Sequence, residues 1–311
     1  SSYIDEGQLF LTSQGELALP FMIDPLVMYW NKDMFSSAGI PNAPQYWSDV
    51  LTETPTLTKL DGSSNITRSA VAMGAWSNIN NAKALLSALF MQAGDYITNR
   101  TNDRLVATIG STPQGAQEAP GESALRFYTE FSDPGKTSYS WNRSLPAAAD
   151  AFTGGQLAMY FGFASEYQAL LARNPNLNIG VSLLPQLKGS SLQVTYGTLL
   201  GLATSRTAHN LSGAMVVAQK LTSPTAVGIL TSQTGLPPVR RDVQANTVAS
   251  AAATVFVQSS LISRGWTDPD AATTNGIFKT MIDSTVSGQN TPAQAVSDAA
   301  QEFGQLLPYH P

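Results

Sequence analysis

Short apolar segments with a strand pattern alternate with helical segments along the first two thirds of the chain. RSAVAMG alternates like a strand, and the next segment, NINNAKALLSALFMQAGD, carries Leu85, Leu86 and Leu89 at helical spacing. Beyond Ala208 the sequence is mostly helical. Strands that alternate with helices are typical of a parallel sheet covered by helices. The pattern therefore predicts an α/β fold with parallel strands, with a helical C-terminal third packed on its faces.

The composition limits the partners that such a fold can have. Of the 311 residues, 43% are hydrophobic and 13% are charged, which is typical of a folded chain long enough for two lobes. The net charge of −5 and the lack of a cluster of basic residues argue against a nucleic-acid partner. The absence of cysteine excludes disulfides, thiol catalysis and thiolate metal sites. No apolar run approaches the roughly 18 residues of a membrane span, so we predict no transmembrane segment.

The sequence also lacks the usual motifs of catalysis. Its two histidines, His209 and His310, have no second histidine or carboxylate at helical spacing, so a zinc helix is not supported. No glycine-rich phosphate loop and no nucleophile elbow occurs. We therefore predict no metal, no cofactor and no enzymatic activity. A glycosidase pair of carboxylates, such as Asp24 with Glu166, remains an open alternative.

One carboxylate lies inside an apolar segment. LPFMIDPLVMYWNKDMF, Leu19 to Phe35, begins as a strand and ends as a helix start, and Asp24 is the acidic residue within its apolar part. Burying a lone charge is costly unless it is paired or hydrated. Asp24 is therefore either a residue of a ligand cleft or a structural aspartate that is capped or salt-bridged.

This segment resembles the signature of the extracellular solute-binding proteins of ABC importers, in the sugar-binding branch (family 1) that includes maltose-binding protein. Downstream, DAFTGGQLAMYFGFASEY, QVTYGTLLGLATSR, LTSQTGLPPVRRDV and MIDSTVSGQNTPAQAVSDAAQEF are similar to later segments of that family, in the same order. Tyr46 stands where the family usually has threonine. The matching elements of the signature are Leu19–Pro20, Asp24, Leu26–Trp30, Asn31–Lys32–Asp33, Gly39–Pro44 and Trp47–Asp49.

The resemblance implies a two-lobed fold of the periplasmic-binding-protein type (type II), with solute bound between the lobes. Residues 1–25 and 196–250 would form lobe one, and residues 26–195 and 251–311 would form lobe two with the C-terminal helices. Family members usually carry about a hundred residues before the signature, a size typical of half a domain. Lobe two is therefore expected to be complete and lobe one partial. The helices LSGAMVVAQKL and PTAVGIL of lobe one would then expose apolar faces.

The function implied by the resemblance is capture of a small neutral solute, a mono- or oligosaccharide, for delivery to the permease subunits of an ABC importer. The expected location is extracytoplasmic, in the periplasm or at the cell surface, with a lipid anchor in the full-length protein. Two alternatives stay open. One is a hydrolase that reuses the scaffold with carboxylates in the cleft, and the other is a ligand-sensing or adhesion module.

The resemblance also nominates ligand-binding residues. Asp24 would accept hydrogen bonds from sugar hydroxyls, and aromatic rings would cover the apolar faces of the sugar. Asn80 has an alternative role as a helix N-cap, and Trp266 has one in packing against a helix start. The ten predicted ligand-binding residues are Asp24, Trp76, Asn78, Asn80, Asn81, Phe163, Ser165, Tyr196, Gly197 and Trp266.

Overall fold

A computed structural model describes residues 2–244 and 250–307. Two short 3-10 helices cover Asp5–Phe10 and Ala164–Glu166. Within the described residues the strands are β1 Leu11–Thr12, β2 Gly15–Glu16, β3 Leu19–Asn31, β4 Lys59–Leu60, β5 Ile66–Val71, β6 Thr98–Thr101, β7 Arg104–Ala107, β8 Leu157–Phe163, β9 Ile179–Ser182, β10 Thr195–Leu202 and β11 Ser263–Arg264. The helices are α1 Lys32–Ser37, α2 Trp47–Leu57, α3 Ala82–Ala93, α4 Pro120–Glu130, α5 Ala148–Thr153, α6 Tyr167–Arg173, α7 Leu211–Leu221, α8 Pro224–Thr234, α9 Arg241–Gln244, α10 Ala251–Leu261, α11 Ala271–Val286 and α12 Pro292–Leu306.

The central sheet has the strand order β11-β10-β3-β8-β5-β4, and β9 also pairs with β3. The α/β class predicted from the sequence is confirmed, but the expectation of parallel strands holds only in part. β5 runs parallel to β8, and β10 runs parallel to β11. β3 is antiparallel to β8, to β9 and to β10. Hydrophobic periodicity reveals the strands but not their direction, and mixed sheets are common among large sheets.

β3 changes its partners half-way along its length. Pro25 is the last residue paired with β10, where it lies opposite Gly197, and Leu26 is the first paired with β8, where it lies opposite Phe163. The strand therefore belongs to two groups of strands, which meet between residues 25 and 26. The predicted lobe boundary falls at the same place, although the two-lobe division of the chain at these residues remains a prediction.

Local signals explain how β3 ends and α1 begins. The side chain of Asn31 accepts hydrogen bonds from the backbone N–H groups of Asp33 (3.0 Å) and Met34 (3.1 Å). Asn31 thus satisfies two of the N–H groups that the first turn of a helix leaves unpaired. The WNKD sequence is therefore a strand-to-helix junction, and it fixes the point at which β3 ends and α1 begins.

Two hydrophobic clusters of very different size lie on the two parts of β3. The large cluster surrounds the second half of β3 and extends through β5, β8 and α3 to the C-terminal helices. The small cluster consists of Ile4, Ile23, Val227 and Val239, with Leu199 packed against it. Stabilisation scales with the apolar area removed from water. The part of the protein around the second half of β3 is therefore more strongly stabilised than the part around its first half.

Helix α7 exposes its apolar side, as the resemblance implied. Ala218 is its buried residue, whereas Leu211, Met215, Val217 and Leu221 are between 42% and 57% exposed. These four residues and Ala218 lie within one arc of the helix, while Ser212, Gln219 and Lys220 lie on the other side. The arc that normally faces a core is therefore mostly uncovered. We call these four exposed residues the α7 stripe.

Residues 2–244 and 250–307 were searched for membrane-spanning helices and for metal-ion sites. None of the helices there combines the length and hydropathy that a membrane crossing requires. Nor do His, Asp and Glu residues gather there in groups of three or more that could hold a metal ion.

Candidate functional site

A cleft of about 400 Å³ opens at the start of α3, beside the end of β8 and the start of β10. Six of the ten predicted site residues line it: Trp76, Asn78, Asn80, Asn81, Phe163 and Tyr196. A volume of this size is in the usual range for small-molecule sites. The complete lining is Trp76, Ser77, Asn78, Ile79, Asn80, Asn81, Ala82, Lys83, Ala84, Ala147, Phe163, Tyr196, Thr198 and Asn275.

Two of the three asparagines bind neighbouring segments, a loop in one case and the start of α5 in the other. Asn78 donates to the backbone carbonyls of Asn142 and Leu145, both at 2.9 Å, and accepts a hydrogen bond from Trp141 Nε1 at 3.0 Å. Asn80 accepts from the backbone N–H of Ala149 at 3.3 Å. The position before α3 is occupied by Asn81, so the alternative of Asn80 as the N-cap of this helix is wrong.

Asn81 makes a different set of contacts. Its Nδ2 donates to Glu166 Oε1 at 2.8 Å, and it also lies 3.2 Å from the carbonyl oxygen of Phe161 and 3.3 Å from the hydroxyl of Tyr160. The Asn81 side chain makes no capping bond to α3. The amide is therefore held by β8 and the turn that follows it, not by the helix that it precedes.

Aromatic rings form the apolar part of the cleft. The rings of Phe163 and Tyr196 meet edge to face, with centroids 6.2 Å apart and an interplanar angle of 68°. Trp76 is half-buried and lines the same cleft. Burial raises the pKa of Tyr196 to about 12, so its hydroxyl is neutral at physiological pH. Such rings can cover the apolar face of a ligand while the hydroxyl forms a hydrogen bond.

Asp24 lies at the edge of this cleft. It is opposite Thr198 on the neighbouring strand, and directly opposed residues in a sheet point to the same face. Asp24 Oδ1 accepts a hydrogen bond from the backbone N–H of Ser165 at 3.0 Å. Burial raises the pKa of Asp24, the hydrogen bonds from Ser165 oppose this, and the nearby Glu166 adds to it. No described residue forms a salt bridge with Asp24.

Three predicted residues lie outside the lining besides Asp24. Ser165 is exposed next to Asp24. Gly197 is buried between strands, where an added Cβ would lie 2.7 Å from Cβ and Oγ of Ser263. Trp266, predicted as a cleft aromatic, is instead a core residue with 7% exposure. Its Nε1 donates to Ser87 Oγ at 3.2 Å, and its ring stacks on Phe278.

Three further cleft residues, Lys83, Thr198 and Asn275, were not predicted from the sequence. The ammonium of Lys83 pairs with Asp268 at 2.6 Å and donates to Thr274 Oγ1 at 2.7 Å. Because this pair neutralises Lys83, it adds little net charge to the cleft. Lys83 lies in the first turn of α3, Thr198 on β10 and Asn275 on α11. Polar residues on a helix or strand usually face solvent, so local sequence offered no signal for these three contacts.

Residues 10–257 match the family described as bacterial extracellular solute-binding protein. The chain belongs to this family. The solute-binding protein is similar to BAB2_0491 of Brucella abortus (strain 2308), which is named as a binding protein. The two are 23% identical over 297 residues, which cover 93% of this chain and 67% of the relative. The chain thus spans about two thirds of the length of this relative.

Two solved structures show the same fold. One is a cyclo/maltodextrin-binding protein complexed with maltotetraose, with a TM-score of 0.76 and 15% identity, covering 98% of this chain and 74% of that one. The other is UgpB from Mycobacterium tuberculosis in complex with glycerophosphocholine, with a TM-score of 0.70, 18% identity and coverage of 98% and 75%. The protein therefore has the fold of the two-lobed periplasmic sugar-binding proteins, as its sequence predicted.

Proposed function

We propose that this solute-binding protein captures a mono- or oligosaccharide in the cleft of α3, β8 and β10 and delivers it to the permease subunits of an ABC importer. The observation that carries the proposal is the combination of the Phe163–Tyr196 ring pair with neutral polar groups, Asn80 and Asn81 among them. Sugars need this combination because each ring has apolar faces and a rim of hydroxyls.

The charges of the cleft suit a neutral solute. Lys83 is paired with Asp268, and the rest of the lining consists of neutral side chains. Asp24, at the edge of the cleft, has no salt-bridge partner among the described residues, so its carboxylate can accept hydrogen bonds from solute hydroxyls. The maltotetraose of one structural neighbour supports this class of solute, while the glycerophosphocholine of another shows that the fold also accepts other hydroxylated ligands.

Binding without catalysis is part of the proposal. A hydrolase would need two carboxyl groups free to act on one bond. Glu166, the acidic neighbour of Asp24, accepts hydrogen bonds from Asn81, Tyr160 and the backbone of Phe163. A carboxylate held in this way is a structural acceptor, which favours a binding protein over a hydrolase.

The mechanism that we propose is closure of two lobes around the solute. β3 crosses between its two groups of strands at residues 25–26, and β10 returns near Tyr196, so both crossings lie beside the cleft. Solute that contacts both sides stabilises the closed form. The proposed location is extracytoplasmic, in the periplasm or at the cell surface, with a lipid anchor in the full-length protein.

Thermal melting with a panel of glucose, mannobiose, maltotetraose and glycerophosphocholine tests the proposal. A ligand present at about 100 times its Kd stabilises the protein by about 2.7 kcal/mol, a shift of several degrees. Chromatography of each mixture after incubation should recover the sugar unchanged. A protein that melts cooperatively but responds to no sugar contradicts the proposal, and released monosaccharide would favour the hydrolase.

A further inference from the structure

Glu166 lies behind the cleft wall and collects hydrogen bonds from two of the elements that form it. Its Oε1 accepts from Asn81 Nδ2 at 2.8 Å and from the backbone N–H of Phe163 at 2.7 Å. Its Oε2 accepts from the hydroxyl of Tyr160 at 2.5 Å. One carboxylate therefore connects the start of α3 with the second half of β8.

The position of Glu166 in the chain explains this convergence. It ends the short turn Ala164–Glu166, three residues after Phe163, so its side chain can reach back to the strand end as in a capping box. The preceding residue, Ser165, donates its backbone N–H to Asp24. Two successive residues of this turn thus contact α3, β8 and β3 beside the cleft.

The acceptors around Asn81 decide which way its amide faces: Glu166 Oε1 at 2.8 Å is the nearer one, and the carbonyl oxygen of Phe161 at 3.2 Å supports the same orientation. An ionised carboxylate accepts hydrogen bonds and donates none, so the group of Asn81 that faces Glu166 must be the NH₂. The amide oxygen is then directed away from Glu166, and within the described residues it receives no hydrogen bond that would occupy it. Asn81 lines the cleft, so its oxygen is available to a solute hydroxyl.

We propose that Glu166 is the positioning residue of the cleft, and that it orients the Asn81 amide so that the oxygen of this amide accepts a hydrogen bond from the solute. The proposal rests on the proposed function for the nature of the solute. The orientation of Asn81 in the free protein does not depend on that function. Fixing this amide before binding removes part of the ordering cost that a mobile side chain would add.

Binding measurements on matched variants provide the first test. We expect Glu166→Ala to weaken binding of maltotetraose or mannobiose at least tenfold in isothermal titration calorimetry. Glu166→Gln should stay within about threefold of the original protein, because its oxygen can still accept from Asn81 and its amide can donate to the Tyr160 hydroxyl. Equal affinity of Glu166→Ala and the original protein would overturn the proposal.

A double-mutant cycle separates positioning from general support of the fold. If Glu166 acts through Asn81, Glu166→Ala should cost less than threefold in affinity once Asn81→Ala is present. A full tenfold loss in that background would show that Glu166 acts by another route. Gln92→Ala is the matched control, because Gln92 is also the centre of three hydrogen bonds, with Trp47, Pro185 and Val194, and is a buried residue that does not line the cleft. It should lower the melting temperature and leave affinity unchanged.

A measurement without solute keeps the inference independent of the proposed function. Nuclear Overhauser effects between the Asn81 side-chain amide protons and the Tyr160 ring should appear in the original protein, in Glu166→Gln and in Gln92→Ala. They should be clearly weaker in Glu166→Ala, where the longer contacts with the Phe161 carbonyl and the Tyr160 hydroxyl are left to hold the amide. Undiminished effects there would overturn the inference even if no sugar binds. Should Glu166→Ala fail to fold, Tyr160→Phe is the alternative variant, because it removes one of the three hydrogen bonds that Glu166 accepts. It should weaken the Overhauser effects between the Asn81 amide protons and the ring at position 160, but by less than Glu166→Ala.

Discussion

Asp24 Oδ1 accepts a hydrogen bond from the backbone N–H of Ser165, 141 positions later in the chain, at a distance of 3.0 Å. The bond joins β3 to the turn after β8 where β3 changes its pairing partner. This bond explains why a carboxylate is tolerated in an apolar strand. One carboxylate oxygen accepts a hydrogen bond from the backbone, and the side chain lies at the edge of a cleft. The partial burial that raises the pKa of Asp24 also leaves it accessible to a ligand.

Replacing Asp24 by alanine should weaken sugar binding while leaving the fold intact. Hydrogen bonds to charged groups contribute about 1.5–3 kcal/mol, so we expect affinity to fall roughly 10- to 100-fold. The melting temperature should change little, because the variant also removes a carboxylate whose pKa burial raises. Titration calorimetry with the sugar that gives the largest melting shift measures the loss. Glu16→Ala, an exposed carboxylate on β2, is the control, and an equal loss in both variants would contradict the role of Asp24.

Glu6 should make the protein less stable as the pH rises. Its side chain is 3% exposed, and burial raises its pKa to about 8 although Arg264 and the backbone of Gly265 oppose the shift. The folded state therefore binds this proton more tightly than the unfolded state, whose glutamate titrates near pH 4.5. Since the unfolded state binds fewer protons between these values, the free energy of unfolding falls with rising pH, by at most about 1.4 kcal/mol per unit.

Urea unfolding of Glu6→Gln between pH 5 and 9 checks this expectation. The stability difference between the variant and the original protein should shift in favour of the variant up to about pH 8 and then level off. The comparison isolates Glu6, because Asp95 and Glu53, whose pKa values burial also raises, are present in both proteins. Parallel pH profiles for the two proteins would refute the buried-acid interpretation.

Some parts of this architecture could be predicted from local sequence alone. β3 and its junction with α1 carry strong short-range signals, an apolar run followed by Asn31 as a helix cap. The apolar arc of α7 follows from helical spacing alone, and its exposure followed from the resemblance. The cleft residues Phe163 and Tyr196 were identified by resemblance rather than by physical reasoning, because a phenylalanine at the end of a strand is equally compatible with the core.

Other parts depend on contacts that no local pattern encodes. Trp266 lies in a polar segment, yet its indole is buried between Phe278 on the following helix and Ser87, which lies 179 positions earlier in the chain. Glu166 becomes important because three donors converge on it from two elements. The antiparallel direction of β3 relative to its neighbours is likewise a property of the chain path. Periodicity describes one element at a time and cannot supply such information.

Gly197 should not tolerate a side chain. A Cβ at this position would lie 2.7 Å from Cβ and Oγ of Ser263 and 3.0 Å from Ile23 Cδ1, and β10 is held there by pairing on both sides. We expect Gly197→Ala to cost about 1–3 kcal/mol in the free energy of unfolding, as overpacking does. Gly228→Ala on α8 is the control, because no atom lies within 4 Å of its Cβ position, and there alanine should stabilise by up to about 1 kcal/mol. Urea denaturation measures both, and a neutral Gly197→Ala would show that β10 and β11 can separate.

The α7 stripe provides a test of what covers this helix in solution. In the 311-residue chain Val217 is 57% exposed, so Val217→Ser should change the free energy of unfolding by no more than about 0.5 kcal/mol. Val227→Ala on α8, which removes buried methyl groups from the small cluster, should cost about 1–3 kcal/mol. Both values come from chemical denaturation of the same chain. A cost for Val217→Ser as large as that for Val227→Ala would mean that the stripe is covered by other polypeptide in solution. A negligible cost, with lower binding of a hydrophobic dye by the variant, would confirm that α7 keeps its apolar side in water.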